Sequence, residues 1–597
     1  MLKITDMLFK IRKPLEIVFL FLLTVCALSC ANIVAPEGGP KDVAPPVAKK
    51  FEPLSNSTHF KEKKIRITFN EYVDLTDQIN QVVVSPPTAE EFTFNIHGKS
   101  ILIDVPSGLK DSTTYTIYFG ESLRDITEGN ILSGFQYAFS TGDYIDSLSL
   151  RGTINDANTL EPSKGVLVML YRIDNDSAPI LYKPDYITKT DATGNFVLNN
   201  LKKAPYKLFA LGDLDMDMKF NLPNESIAFA DSLLTPQYVS SKPDTSQKKK
   251  DSLNVKTDST HTKTDSLPNA ELIRHPQLRM FIQADTVQKL LKSRSDNYGQ
   301  FRLYFKEPVT EVSLKLLNKN LPENWKLDDL NKNKDTLTYW LTNPEIDTLK
   351  FMVYDKGVFI DTVDLAMKTK PQVKTKGRPS GKGISESETA FKLLAATKVP
   401  PNGTQPYYLP LKIILSHPIV STDYTKISLS QKIDSTYSPL KFSIKDADSM
   451  VKRHFLLNYK WEPKKNYRLM VIPGAFTDIY GLINDSLKID FTSNGVEDYG
   501  RLLFTFKTAS FNHPYILQLL NESKVVVGEK TVEKNEQVIF DNMVPGNYQL
   551  RIIGDVNRDG KWTTGNYFRK RQPEPIFIFP NAINIRANWD SDFEYTH

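Results

Sequence analysis

From residue 47 onward the chain is written in short runs in which apolar and polar residues alternate. Ile65, Ile67 and Phe69 alternate with Arg66 and Thr68; Ile101 and Ile103 repeat the pattern, as do Tyr115, Ile117 and Phe119. A period of two places one set of side chains on one face of a strand. Turn-formers separate the runs: Ser85-Pro86-Pro87, Pro106-Ser107-Gly108 and Glu128-Gly129-Asn130. Short alternating strands at this spacing predict a β-sandwich over 47–147.

The pattern recurs along the chain. Gly165–Tyr171, Phe196–Leu198 and Tyr206–Ala210 predict strands of a second sandwich over 148–235. Phe301–Phe305, Thr336–Trp340 and Leu349–Tyr354 predict a third over 271–370, and 390–497 and 498–597 carry two more. Residues 236–270 break the pattern. Asp244, Asp251, Asp258 and Asp265 recur every seven residues among Ser, Thr and Lys, without the apolar positions of a coiled coil. That composition predicts a disordered linker, and 371–389 predicts a second, basic one. The fold class expected is therefore all-β: a multidomain chain of Ig-like and prealbumin-like β-sandwiches with flexible linkers.

The chain is internally duplicated. Phe196–Asn221 aligns without a gap to Val538–Thr563, so that Asn200, Tyr206, Leu208, Gly212, Asp213, Asp217 and Lys219 match Asn542, Tyr548, Leu550, Gly554, Asp555, Asp559 and Lys561. A looser echo links Thr114–Thr141 to Asn466–Ser493 in the preceding modules. The simplest account is a duplicated pair of sandwiches with one β domain between the copies.

Both cysteines, Cys26 and Cys30, lie in the first thirty residues. A disulfide framework, a cysteine-ligated metal and a cysteine nucleophile in the body are excluded. No two of the eight histidines are three to five residues apart, which excludes a helical zinc pair. The 75 basic and 70 acidic residues nearly balance, so no affinity for nucleic acid follows. Lys3, Lys10, Arg12 and Lys13 precede the apolar run Ile17–Leu28, which is too short for a membrane span of about 20 residues. Residues 1–29 read as a signal peptide. Ala27-Leu28-Ser29-Cys30 resembles a bacterial lipobox, with Ala27 where Leu is usual. The resemblance implies acylation of Cys30, anchoring to the outer membrane, and a Pro/Gly tether over 30–46. The side of that membrane on which the protein faces is left open.

Two loops carry the candidate metal chemistry. Asp555, Asn557 and Asp559 alternate ahead of Gly560, and Lys561 offers a backbone carbonyl. These are the first positions of a calcium loop, but Asn566 stands where a bidentate Glu belongs. The repeat-mate offers Asp213, Asp215 and Asp217 with no glycine at the turn. Structural Ca²⁺ at either loop and a plain Asx turn both account for these residues. Trp340, Trp461, Trp562 and Trp589 are candidates for stacking on sugars or for packing.

Ile65–Val73, Thr113–Ile117, Asp125, Glu128–Asn130 and Phe139–Gly142 resemble the bacterial Ig-like domain of S-layer-type proteins. The layout as a whole, with Gly38–Asp42 in the tether and the Asp555–Trp562 loop, resembles the Ig-like-domain outer-membrane lipoproteins of Bacteroidota. This resemblance implies no catalytic residues. It implies a scaffold or accessory subunit of an envelope complex, partnered by another outer-membrane or lipid-anchored protein. The alternative is a surface glycan-binding lipoprotein serving a nutrient importer.

Overall fold

The computed structural model describes residues 41–238, 275–285, 287–371, 391–447, 451–509 and 511–597. Cys26, Cys30, the leader and nearly all of 236–270 and 371–389 lie outside them. The described residues form two units: one comprises 41–156 and Glu161–Met280, the other Ala157–Leu160 and Phe281–His597. The fold is all-β. Among the described residues no helix is long and apolar enough to cross a membrane.

In the first unit, the opening module sets a four-stranded sheet (Ala48–Glu52, Lys64–Phe69, Ser100–Asp104, Thr93–His97) against a three-stranded one (Val83–Ser85, Thr114–Tyr118, Gln136–Ser140). The alternation decides the core. Ile65, Ile67, Ile101, Ile103, Ile117 and Phe139 are fully buried between the sheets. Each buried side chain of this kind is worth about 1.5–3 kcal/mol relative to exposure. Thr114 and Thr116, on the other face of their strand, are also buried. The reason is the next module: Thr116 Oγ1 donates to Asn200 Oδ1 at 3.1 Å, and Asn199 N donates to Tyr118 Oη at 2.8 Å.

The second module is a seven-stranded sheet in the order Tyr186–Lys189, Leu167–Tyr171, Lys207–Gly212, Ser226–Phe229, Gln277–Ile282, Leu148–Asp156, Asn195–Leu201. Gln277–Ile282 runs parallel to Leu148–Asp156, with Thr153 opposite Gln277 and Asp156 opposite Met280. The sequence reading began the third sandwich at 271 and so gave this strand to the wrong module. Leu278 and Met280 are buried in one core with Ile154, Phe196 and Leu208, and that burial fixes the strand here. Segment 239–274 thus connects two neighbouring strands of one sandwich, rather than joining two sandwiches.

In the second unit, the third module packs Leu290–Arg294, Gln300–Phe305, Thr336–Leu341 and Lys326–Leu330 over Val312–Leu316, Thr348–Asp355 and Val358–Ala366. The fourth repeats the plan of the first and adds the strand Thr436–Leu440 beside Ile427–Ile433. The fifth repeats the second. Gly500–Lys507 pairs antiparallel with Glu536–Met543 and parallel with Asp590–Thr596, as Leu148–Asp156 does with its two partners. Tyr407 Oη donates to Asn542 Oδ1 at 2.6 Å and so ties the fourth module to the fifth.

Candidate functional site

Each Asp-rich loop leaves the end of a central strand, Lys207–Gly212 in the first copy and Gly546–Gly554 in the second. Matched residues take the left-handed conformation, Met216 and Met218 at φ 62° and 64°, Arg558 and Gly560 at 59° and 75°. The turn that was expected to require glycine is made by Met218 in the first copy. A non-glycine residue there costs roughly 1–2 kcal/mol, which the loop's side-chain hydrogen bonds offset.

In the second loop those bonds consume nearly every oxygen. The buried Asp555 carboxylate accepts from Asp559 N and Gly560 N, each at 3.0 Å. Asn557 Oδ1 accepts from Asp559 N and Asp559 Oδ1 from Lys561 N, both at 3.0 Å. Asn557 Nδ2 and Thr563 Oγ1 both donate to Asp559 Oδ2. This is a stack of Asx turns. Asn566 bonds to the backbone of Arg571 and Arg569.

The first loop is arranged differently. Asp217 is taken up by Lys219 N at 2.7 Å and Asn221 Nδ2 at 2.8 Å. Asp213 Oδ2 accepts from Met218 N, but its Oδ1 is buried without a hydrogen-bond partner. Asp213, Asp215 and Glu225 each present a carboxylate oxygen within 4.8 Å of the others. Burial raises the Asp213 pKa above the ordinary carboxylate range, and the charges of Glu225 and Asp217 push the same way. Converging carboxylates of this kind are stabilised by a cation and repel without one. The set that could hold an ion is therefore Asp213, Asp215 and Glu225, with Asp217 outside it.

Glu225 is the residue that sequence reasoning missed. It is fully buried, and its carboxylate accepts from Leu214 N, Asn221 N and Leu222 N. Glu574 does the same in the second copy, accepting from Asn557 N at 3.1 Å and Thr563 N at 2.8 Å. Burial holds its pKa above the usual range. The two glutamates lie at different distances along the chain from their loops, so an ungapped alignment cannot match them. The available signal was an acidic residue just ahead of the strands Ser226–Phe229 and Ile576–Ile578.

The tryptophans form no sugar platform. Trp340 and Trp461 are buried at 2% and 4% exposure, and Trp562 donates Nε1 to Glu574 O at 3.0 Å. Trp589, at 64% exposure, stands out alone among these four.

Fold and loops together define a chain of tandem β-sandwiches in which an Ig-like module precedes a second kind of sandwich twice over. The family model of the bacterial Ig-like domain matches residues 42–141, the first module. No curated protein matches the chain. Among solved structures, the N-terminal part of the bacterial S-layer protein SbsC is similar at 9% identity and a TM-score of 0.16, over 28% of this chain and 41% of that one. The longer S-layer fragment rSbsC(31-844) is similar at 11% identity and 0.13, over 86% and 66%. BcpA, the major pilin subunit of Bacillus cereus, is similar at 10% identity and 0.13, over 75% and 98%. This chain thus spans under half of the first of these structures and about two thirds of the second.

Proposed function

We propose that this protein is a non-catalytic lipoprotein of the cell envelope that acts as a scaffold or accessory subunit of an outer-membrane assembly. Acylated Cys30 anchors it, and the modules hold a partner protein at a set distance from the membrane. The observation that carries this reading is the duplicated joint. Asn200 bonds to the module before it, and Asn542, its repeat-mate, does likewise. A duplication that keeps the joint keeps the spacing and direction of two modules as one rigid element, which is what a spacer needs and an isolated binding domain does not. A structural cation, Ca²⁺ by the chemistry of an all-oxygen donor set, stiffens the loop of the second module through Asp213, Asp215 and Glu225.

The test is purification of the C-terminally tagged chain from outer membranes in mild detergent. The scaffold reading expects another envelope protein in stoichiometric amount, lost when Cys30→Ala releases the chain from the membrane fraction. Recovery of the protein alone, with its membrane attachment intact, sinks the subunit role.

A further inference from the structure

The two matched loops have diverged in charge. Between the strand ends Gly212 and Ser226, residues 213–225 carry four carboxylates and one cation, Lys219. Between Gly554 and Ile576, residues 555–575 carry three carboxylates and five cations: Arg558, Lys561, Arg569, Lys570 and Arg571. All five cations are exposed. Asp555 and Glu574 are buried, at 2% and 7% exposure, so among these described residues Asp559 is the one exposed carboxylate. With every carboxylate counted as ionised, the segment is still net positive.

Most of the difference is an insertion. The path from Asp555 to Glu574 is seven residues longer than that from Asp213 to Glu225. The first copy pairs its two strands without those residues, so the sandwich does not need them. The added length forms a hairpin closed by the bridge between Asn566 and Arg571. One side of it is held in place. Thr564 Oγ1 donates to Ile282 O at 2.9 Å, Tyr567 N donates to Gln283 Oε1 at 3.0 Å, and a Cβ on Gly565 would meet the Phe281 ring at 2.6 Å. Asp285, just beyond, pairs with Lys289 and Lys306, so this neighbour adds no net negative charge. The tip Phe568-Arg569-Lys570-Arg571 is exposed throughout, Phe568 at 66%.

We propose that this hairpin docks on an anionic lipid surface, with Arg558, Lys561, Arg569, Lys570 and Arg571 at the phosphates and Phe568 at the boundary between headgroups and acyl chains. Cations and an aromatic ring on one short element match the two layers of such a surface, negative charge outside and hydrocarbon beneath. An acidic protein answers the charge and leaves the ring bare. The proposal rests on the membrane reading above only for the presence of a bilayer.

The full chain carrying Cys30→Ala has no acyl anchor, so failure of this test leaves the anchoring reading standing. It is titrated by co-sedimentation with vesicles of phosphatidylglycerol and phosphatidylcholine in equal parts, and with vesicles of phosphatidylcholine alone. Binding should be saturable on the anionic vesicles, about tenfold or more weaker on the neutral ones, and weakened by added salt. The double variant Arg569→Glu/Arg571→Glu, shown to fold by an unchanged melting curve, should bind about tenfold or more weakly. Phe568→Ser keeps the charge and should bind about threefold or more weakly. The pair Lys61→Glu/Lys63→Glu removes the same charge from exposed positions of the first module and should bind as the parent does. Equal binding to phosphatidylcholine alone, unchanged affinity in either hairpin variant, or an equal loss in the first-module pair overturns the proposal. Release from the vesicles by poly-glutamate at charge parity with the lipid assigns the patch to an acidic protein and overturns it as well.

Discussion

Asn200 and Asn542 sit at matched positions of the repeat with the same left-handed backbone, φ 61° and 55°, and each side-chain amide reaches the Ig-like module before it. Asn tolerates that conformation better than other non-glycine residues. Its amide also both accepts and donates: Asn200 Oδ1 takes the Thr116 hydroxyl while Nδ2 donates to Asp146 O at 2.9 Å. One residue type thus meets a backbone demand and a joint demand together.

Asn200→Ala should therefore lose both. We expect a cost of about 2 kcal/mol, from one strained residue and the loss of its part-buried bonds to Thr116 and Asp146. Asn200→Gly relieves the strain but not the bond, and should recover only part of it. Hydrogen exchange over 114–118 and 195–201 reads the joint directly, since a multidomain chain has no single unfolding free energy. Equal protection in all three proteins would refute the joint's role.

The two Asp loops should answer differently to Ca²⁺. Millimolar Ca²⁺ should raise a thermal transition of the first unit, by about 2.7 kcal/mol at a hundredfold excess over the dissociation constant. Glu225→Gln or Asp213→Asn should abolish the rise, and Asp559→Asn in the second loop should leave it. Differential scanning calorimetry with and without chelator separates these outcomes. A rise that survives Asp213→Asn removes the cation from the first loop.

The fourth module carries a pH-dependent tie. Arg468 binds Asp490 through two bonds of 2.5 and 2.9 Å and lies over the Tyr437 ring at 3.8 Å, which fastens the added strand Thr436–Leu440. The Arg468 hydrogen bonds hold the Asp490 pKa below the usual carboxylate range. A carboxylate with a lowered folded pKa contributes stability above its unfolded pKa of about 3.9, and that stability is lost as pH falls through the folded value. Asp490→Asn should be less stable than the parent at pH 7, with the difference vanishing in acid. A difference that stays constant from pH 7 to pH 2 would show that Asp490 acts through packing instead.

Gly299 marks the contact between the third and fourth modules. Its φ is +73°, and a Cβ there would meet Tyr480 Oη at 2.6 Å and Pro344 Cβ at 3.0 Å. Tyr480 Oη also donates to Gly299 O at 3.1 Å. Gly299→Ala should open this contact, at a cost of about 1–2 kcal/mol from the backbone alone. Tyr480→Phe should lose only the bond, about 1 kcal/mol. Hydrogen exchange over 297–301 and 478–482 in the intact chain reports the opening. Faster exchange in Tyr480→Phe than in Gly299→Ala would reverse the order argued here.

The strands and their cores were legible because side-chain alternation is a local property. Lys64–Phe69 needs only its own six residues to say which face holds Ile65, Ile67 and Phe69. The duplication was legible for the same reason, since matched residues stand in matched order. What the sequence could not disclose were relations that the chain closes over long distances. Gln277–Ile282 looks like any short strand, and only burial of Leu278 and Met280 against Ile154 places it beside Leu148–Asp156. Thr114 and Thr116 read as a solvent face until a second module covers them. Asp217 matches a calcium-loop pattern, yet Glu225 is the carboxylate brought to Asp213 and Asp215, because the strand it precedes pairs with the strand they follow. Period fixes which face of a strand is buried; the sheet edge that each strand joins, and so which charges meet, follows from tertiary packing.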